Sequence, residues 1–73
     1  MSDPTPSFVR VSRTWEPYVY PEVKKCLTQV RREFGIDKRR WHFRGHGGQH
    51  RYTVDFFFAD PYDAIIFSLK YLS

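Results

Sequence analysis

Three histidines at intervals of four, His42, His46 and His50, have the spacing that aligns imidazoles on one face of a helix, where they could hold a metal such as zinc. The glycines of the intervening "GHGG" break any helix there, and in an extended hairpin His42 and His50 point to opposite faces. The remaining soft donor is Cys26, which falls on an apolar helical stripe where a neutral thiol packs as a small hydrophobe. "GHGG" also lacks the Lys-Ser/Thr pair and the helix start that let a glycine loop cradle phosphate. Among the carboxylates, Asp60 precedes Pro61 and Asp63 follows in the first helical turn, so both serve a helix start, and Asp55 stands alone among arginines. No acid and base pair emerges, and 73 residues leave little wall for a substrate cleft. The expectation is no enzyme activity, no metal and no cofactor.

What the sequence concentrates is positive charge and aromatic area. Twelve Lys and Arg against eight Asp and Glu leave a formal charge of +4, which favours a polyanion or an acidic protein surface as partner. At 41% hydrophobic and 19% aromatic, the composition supports a folded core built from large rings, and a chain of 73 residues has room for only one. A single cysteine excludes an intramolecular disulfide and suits a reducing compartment. There is no basic-then-apolar leader and no apolar run near the roughly 18 residues of a membrane span. These features predict a soluble cytoplasmic protein with no membrane partner.

The elements that position the rings and cations can be placed by spacing. "MSDPTPS" predicts a flexible N-terminal segment over 1–7, ahead of a single domain over 8–73. "FVRVSRTW" alternates as a half-buried strand over 8–14, with Val9, Val11 and Arg13 on one side and Phe8, Arg10 and Ser12 on the other. "EPYVYP" is a loop leading to a helix that starts at Pro21, whose apolar stripe is Val23, Cys26, Leu27, Val30 and Phe34 and whose stop is Gly35. Opposite that stripe, Lys24, Lys25, Arg31 and Arg32 form one basic face.

"RRWHFRGHGGQHRYTVDFFFAD" predicts a hairpin turning through Gly45, His46, Gly47 and Gly48, with Trp41 opposite Tyr52 and Phe43 opposite His50. That parity puts Tyr52, Val54, Phe56 and Phe58 in the core and turns Phe57 outward. A final helix runs over 61–72, with Ile65, Ile66, Leu69 and Leu72 on its core face. Phe67 and Tyr71 lie nearly opposite, on a second apolar strip that needs cover from the "EPYVYP" loop or from a partner.

The order β-α-β-β-α predicts an α+β two-layer sandwich: a three-stranded antiparallel sheet of order 1-3-2 with two helices on one face. The open face then presents Phe8, Arg10, His42, Arg44, Arg51, Thr53, Asp55 and Phe57. Arginines interleaved with rings suit single-stranded nucleic acid, the rings stacking on bases while arginine holds phosphate. With no fourth strand, strand one is an open edge that invites a partner strand, by homodimerisation or by augmentation.

"YTVDFFFADPYDA" looks like the end of the third strand and the start of the second helix of an RNA recognition motif, and the element order is shared over about residues 8–72. The resemblance implies Arg51 as a phosphate contact and Phe57 as a neighbouring ring. It departs where that family exposes two third-strand aromatics, since this chain has Thr53 and Asp55. The chain also resembles small accessory proteins of tailed bacteriophages, which are short, basic and aromatic-rich and end in an aromatic strand followed by a "DP-x-DA" helix. That resemblance implies a phage-encoded protein in the host cytoplasm that binds a macromolecule without catalysis.

Two functions are therefore expected. The first is docking on a host protein, modulating or inhibiting it through Phe57, Arg44 and Arg51 on the sheet and Phe67 and Tyr71 on the last helix. The alternative is a nucleic-acid-binding module using Phe8, Arg10, His42, Arg44, Arg51 and Phe57, with Lys24, Lys25, Arg31 and Arg32 as auxiliary phosphate contacts.

Overall fold

The alternating and helical spacings resolve into five elements in the computed structural model, which describes residues 7–72: β1 Val9–Trp15, α1 Tyr20–Phe34, β2 Trp41–Gly47, β3 Tyr52–Phe58 and α2 Pro61–Tyr71. The expected lead-in over 1–7 lies outside the described residues except for Ser7. The sheet has the order β1-β3-β2 with both pairings antiparallel. Both helices pack on one face of it, since Phe34 of α1 and Phe67 of α2 both touch Phe58. This is the α+β sandwich that the sequence predicts.

Each helix is delimited by local chemistry. The α1 stripe buries Val23, Cys26, Val30 and Phe34. Gly35, at φ +88°, ends the helix by donating its N–H to the Arg31 carbonyl at 2.9 Å, in a backbone region that residues with a Cβ rarely adopt. At the start of α2 the Asp60 carboxylate accepts the Tyr62 N–H at 2.9 Å, and Pro61 occupies the first turn, where its missing donor costs nothing.

The hairpin register differs from the expected one. Trp41 pairs with Phe58 rather than Tyr52, and Phe43 with Phe56 rather than His50. Side-chain parity is unchanged, so the core and open faces stand as expected, but β2 runs on through Gly45, His46 and Gly47, and the loop is 48–51. The physical reason lies in bulk. In the observed register Trp41 and Phe43 sit level with Phe58 and Phe56, and the small residues Gly45 and Gly47 sit level with Val54 and Tyr52. The Tyr52 ring fills the space where a Cβ on Gly45 would project, and it stacks on Tyr18 at 4.6 Å. Gly45 is thus a notch for a ring, not a turn residue.

The phase of α2 also differs from the expected one, although Ile66 of the expected face does pack against the core. Phe67 is 0% exposed, 4.5 Å from Phe56 and 5.3 Å from Phe58, whereas Ile65 is 57% exposed and Leu69 and Leu72 also face outward. The strip expected to need cover is covered by the sheet itself, and Tyr71 packs on Phe67 while its hydroxyl donates to Glu33 of α1 at 3.4 Å. Two forces select this phase. A phenyl ring buries more apolar area than an isoleucine. Asp63, on the same side as Phe67, is also buried and held by Arg40 through Nε at 2.9 Å and Nη2 at 3.3 Å.

Arg40 ties three elements at once. Its Nη1 donates to the Phe34 carbonyl at 3.1 Å, its guanidinium lies over the Phe34 ring, and the adjacent Trp41 Nε1 donates to the Gly35 carbonyl at 2.8 Å. The Phe34 carbonyl that ends α1 and the Gly35 carbonyl just past it, unsatisfied within the helix, are thereby met by Arg40, just before β2, and by Trp41, its first residue. Burial pushes the Cys26 thiol above its usual pKa against the opposing pull of Arg13, whose Nη1 is 3.5 Å from the sulfur. The thiol packs neutral in the core.

The observed phase of α2 has a direct check. Phe67→Ala should lower stability by about 3–5 kcal/mol in urea unfolding, while Ile65→Ala should stay within about 1 kcal/mol of wild type. The opposite ranking would restore the Ile65 side as the core face.

Candidate functional site

The open face of the sheet is built from alternate residues of all three strands. The pairings set up three rows: Arg10, Phe57 and His42; Ser12, Asp55 and Arg44; Thr14, Thr53 and His46. Each row has its middle residue on β3, the central strand. Nothing in the described chain covers this face, because both helices lie on the other.

The first row holds an aromatic cluster. His42 stacks on Phe57 with ring centres 5.0 Å apart and planes 17° apart, and Phe8 meets His42 edge-on at 4.9 Å. All three are half-buried, with part of each surface turned to solvent. Arg10 and Arg44 are exposed to either side of Phe57 and form no ion pair among the described residues. A ring cluster with exposed guanidiniums nearby can take a planar group against the rings and anionic groups on the arginines.

The second row is a polar anchor. The Asp55 carboxylate accepts the Ser12 hydroxyl at 2.5 Å and lies 3.2 Å from His46 Nε2. The Ser12 hydrogen bond holds its carboxyl below the usual carboxylate range, against the opposing pull of desolvation and with lesser help from His46 and Arg10. In the third row the hydroxyls of Thr14 and Thr53 bond each other at 2.9 Å. Asp55 is therefore engaged within the face, and the positive charge of Arg10 and Arg44 is not cancelled by a direct bridge.

Of the predicted site residues, the structure brings together Phe8, Arg10, His42, Arg44 and Phe57. Arg51 does not join them: it lies in the loop before β3, where its carbonyl accepts the Gly48 N–H and its guanidinium is 3.4 Å from Glu16. Phe67 is removed from the surface by the sheet, and Tyr71 is half-buried against Phe67 and Glu33. Lys24, Lys25 and Arg32 are exposed on the outer side of α1, across the molecule from the open face, so one short ligand cannot engage both. Arg31 sits apart, over the Phe43 ring at the β2 edge. His46 belongs to the face although its place between glycines had suggested a turn.

Among the described residues, no group of three or more His, Cys, Asp or Glu is arranged to hold a metal, and no helix is long and apolar enough to cross a membrane. The chain matches no family model, no curated protein and no solved structure.

The Asp55 anchor has a pH signature. A carboxyl whose folded pKa is depressed adds stability that is complete above its unfolded pKa, near 3.8, and is lost as pH falls through the lower folded value. Urea unfolding between about pH 2 and 6 should therefore show stability falling on the acid side, and Asp55→Asn should flatten that fall. An unchanged acid limb in the variant would mean that the anchor contributes nothing to folding.

Proposed function

We propose that the protein is a noncatalytic binding module that takes single-stranded nucleic acid on the open face of its sheet. The observation behind this reading is the Phe57 and His42 stack, open to solvent and flanked by Arg10 and Arg44. Bases are planar and hydrophobic on their faces, and each is followed by a phosphate. A ring cluster with exposed guanidiniums nearby meets both demands without reading sequence. The element order shared with the RNA recognition motif is in keeping with this, although the ring that serves here is Phe57 and its neighbour is an imidazole. Binding, not turnover, is proposed because Asp55, the carboxylate of this surface, is already taken up by Ser12 and His46.

A second reading, docking on a host protein that the chain modulates, accords with the resemblance to phage accessory proteins. It is favoured by the exposed Tyr62, Ile65 and Leu72 on the outer side of α2, not by the buried Phe67. The two readings separate by salt, because phosphate contacts release counterions and an apolar interface does not.

Fluorescence anisotropy with a labelled single-stranded RNA at about 50 and 200 mM salt tests the proposal. Micromolar binding that weakens steeply with salt is expected, with Phe57→Ala costing about 1–3 kcal/mol. Arg10→Glu and Arg44→Glu should each reduce the logarithmic salt slope by about 0.7 while the circular dichroism spectrum is retained. No binding at the lower salt would rule the nucleic-acid reading out.

A further inference from the structure

The hairpin's hydrogen-bond phase determines which backbone groups of β2 look outward. Ala59 N–H donates to the Arg40 carbonyl at 2.9 Å, and Gly48 N–H to the Arg51 carbonyl at 2.8 Å, both on the hairpin register. Hydrogen-bonded and non-hydrogen-bonded pairs alternate along an antiparallel ladder, so the even residues His42, Arg44 and His46 bond to β3. The odd residues Trp41, Phe43 and Gly45 then aim N–H and carbonyl away from the sheet. Trp41 N–H is taken by the Asp37 carbonyl at 3.2 Å, but no described residue takes the outward groups of Phe43 or Gly45. These groups form an open edge whose second member has no side chain to obstruct an approaching chain.

A cleft runs beside this edge, lined by Arg31, Ile36, Lys38, Trp41, His42 and Phe43. Its apolar part is unusually bare, since Ile36 is 85% and Phe43 36% exposed. No carboxylate lines it. Arg31 and Lys38 stand on the helix side, and Arg44 emerges on the open-face side beside His42, so positive charge flanks the edge above and below the sheet.

We infer that the outer edge of β2 captures an extended acidic segment of a protein partner as a fourth strand. Such a segment would hydrogen-bond Phe43 and Gly45 through its backbone and lay one set of alternate side chains, apolar, on Ile36 and Phe43. It would turn the other set, carboxylates, toward Arg44 and His42, with its flanks near Arg31 and Lys38. The charge around the cleft rejects a basic strand and disfavours a second copy of this +4 chain. This site borders the proposed nucleic-acid face, sharing Arg44 and His42 with it, but its backbone contacts are in the plane of the sheet and do not involve Phe57.

Isothermal titration with a short peptide alternating valine with aspartate tests the inference, alongside the same peptide with lysine for aspartate and an aspartate peptide with alternate backbone nitrogens methylated. The aspartate peptide is expected to bind in the micromolar range, and the lysine and methylated peptides at least about tenfold more weakly. The double variant Arg31→Glu, Lys38→Glu should weaken the aspartate peptide by a similar factor, while Phe57→Ala should leave it unchanged. Equal binding of the methylated peptide would overturn strand addition, and equal binding of the lysine peptide would overturn the charge selection. Loss confined to Phe57→Ala would move the peptide to the open face. No binding up to about 1 mM, or concentration-dependent dimers in sedimentation that exclude the peptide, would end the proposal.

Discussion

The ring of Phe67 packs 4.5 Å from Phe56 and 5.3 Å from Phe58, and the division of labour between the two faces of the sheet descends from that contact. A strand that gives alternate rings to a helix must turn the intervening ring away from it, so burying Phe56 and Phe58 exposes Phe57 on the other side. The same contact fixes the rotation of α2. It places Asp63 inward to meet Arg40 and sends Tyr62, Ile65 and Leu72 outward. Arg40 then connects the end of α1 to the start of α2 through the first residue before β2. In so small a domain, one aromatic wedge and one guanidinium orient every element relative to the sheet.

Charge is distributed on three surfaces. Arg10 and Arg44 stand on the open face, Lys24, Lys25 and Arg32 on the outer side of α1, and Arg31 and Lys38 by the β2 edge. A net charge of +4 attracts polyanions from a distance, but only within a few ångströms does stacking or backbone pairing decide what stays bound. On the open face that decision falls to Phe57 and His42. Asp55 limits the positive field there without opposing it in full, because its carboxylate is already met by Ser12 and His46.

The parts of the fold legible from the sequence are those set by local periodicity. The α1 stripe, the Gly35 stop, the Asp60 and Pro61 start, the strand parity and the order 1-3-2 all follow from neighbours in the chain or from one handedness rule. The misread parts depend on contacts distant in sequence. The α2 sequence has two apolar sides, and the deciding partner of Asp63 is Arg40, 23 residues earlier. Gly45 and Gly47 have the composition of a turn, and only the Tyr52 ring reveals Gly45 as a place where a side chain must be absent. The open-face residues were legible because parity survives any even shift of register, which is why five of the six proposed sheet residues stay together while Arg51 drifts into the loop. The β2 edge was hidden for the same reason that the turn was misplaced: a strand expected to end before Gly45 offers no edge there.

A three-stranded sheet also ties its edge to its face. A strand laid along β2 alternates its side chains, and those on the open side fall beside His42 and Arg44. If they are carboxylates, they lower the positive potential next to the Phe57 and His42 stack, where a phosphate chain would lie. Acidic strand and nucleic acid then oppose each other because both engage Arg44 and His42, and linkage requires each to weaken the other by the same factor. The lysine-for-aspartate exchange separates charge from shape, because a merely steric conflict would survive it. Measuring RNA affinity with and without saturating aspartate peptide would expose the coupling, and equal affinities would show that edge and face respond independently. An open edge on this domain would thus serve as the means by which a protein partner regulates what the sheet holds.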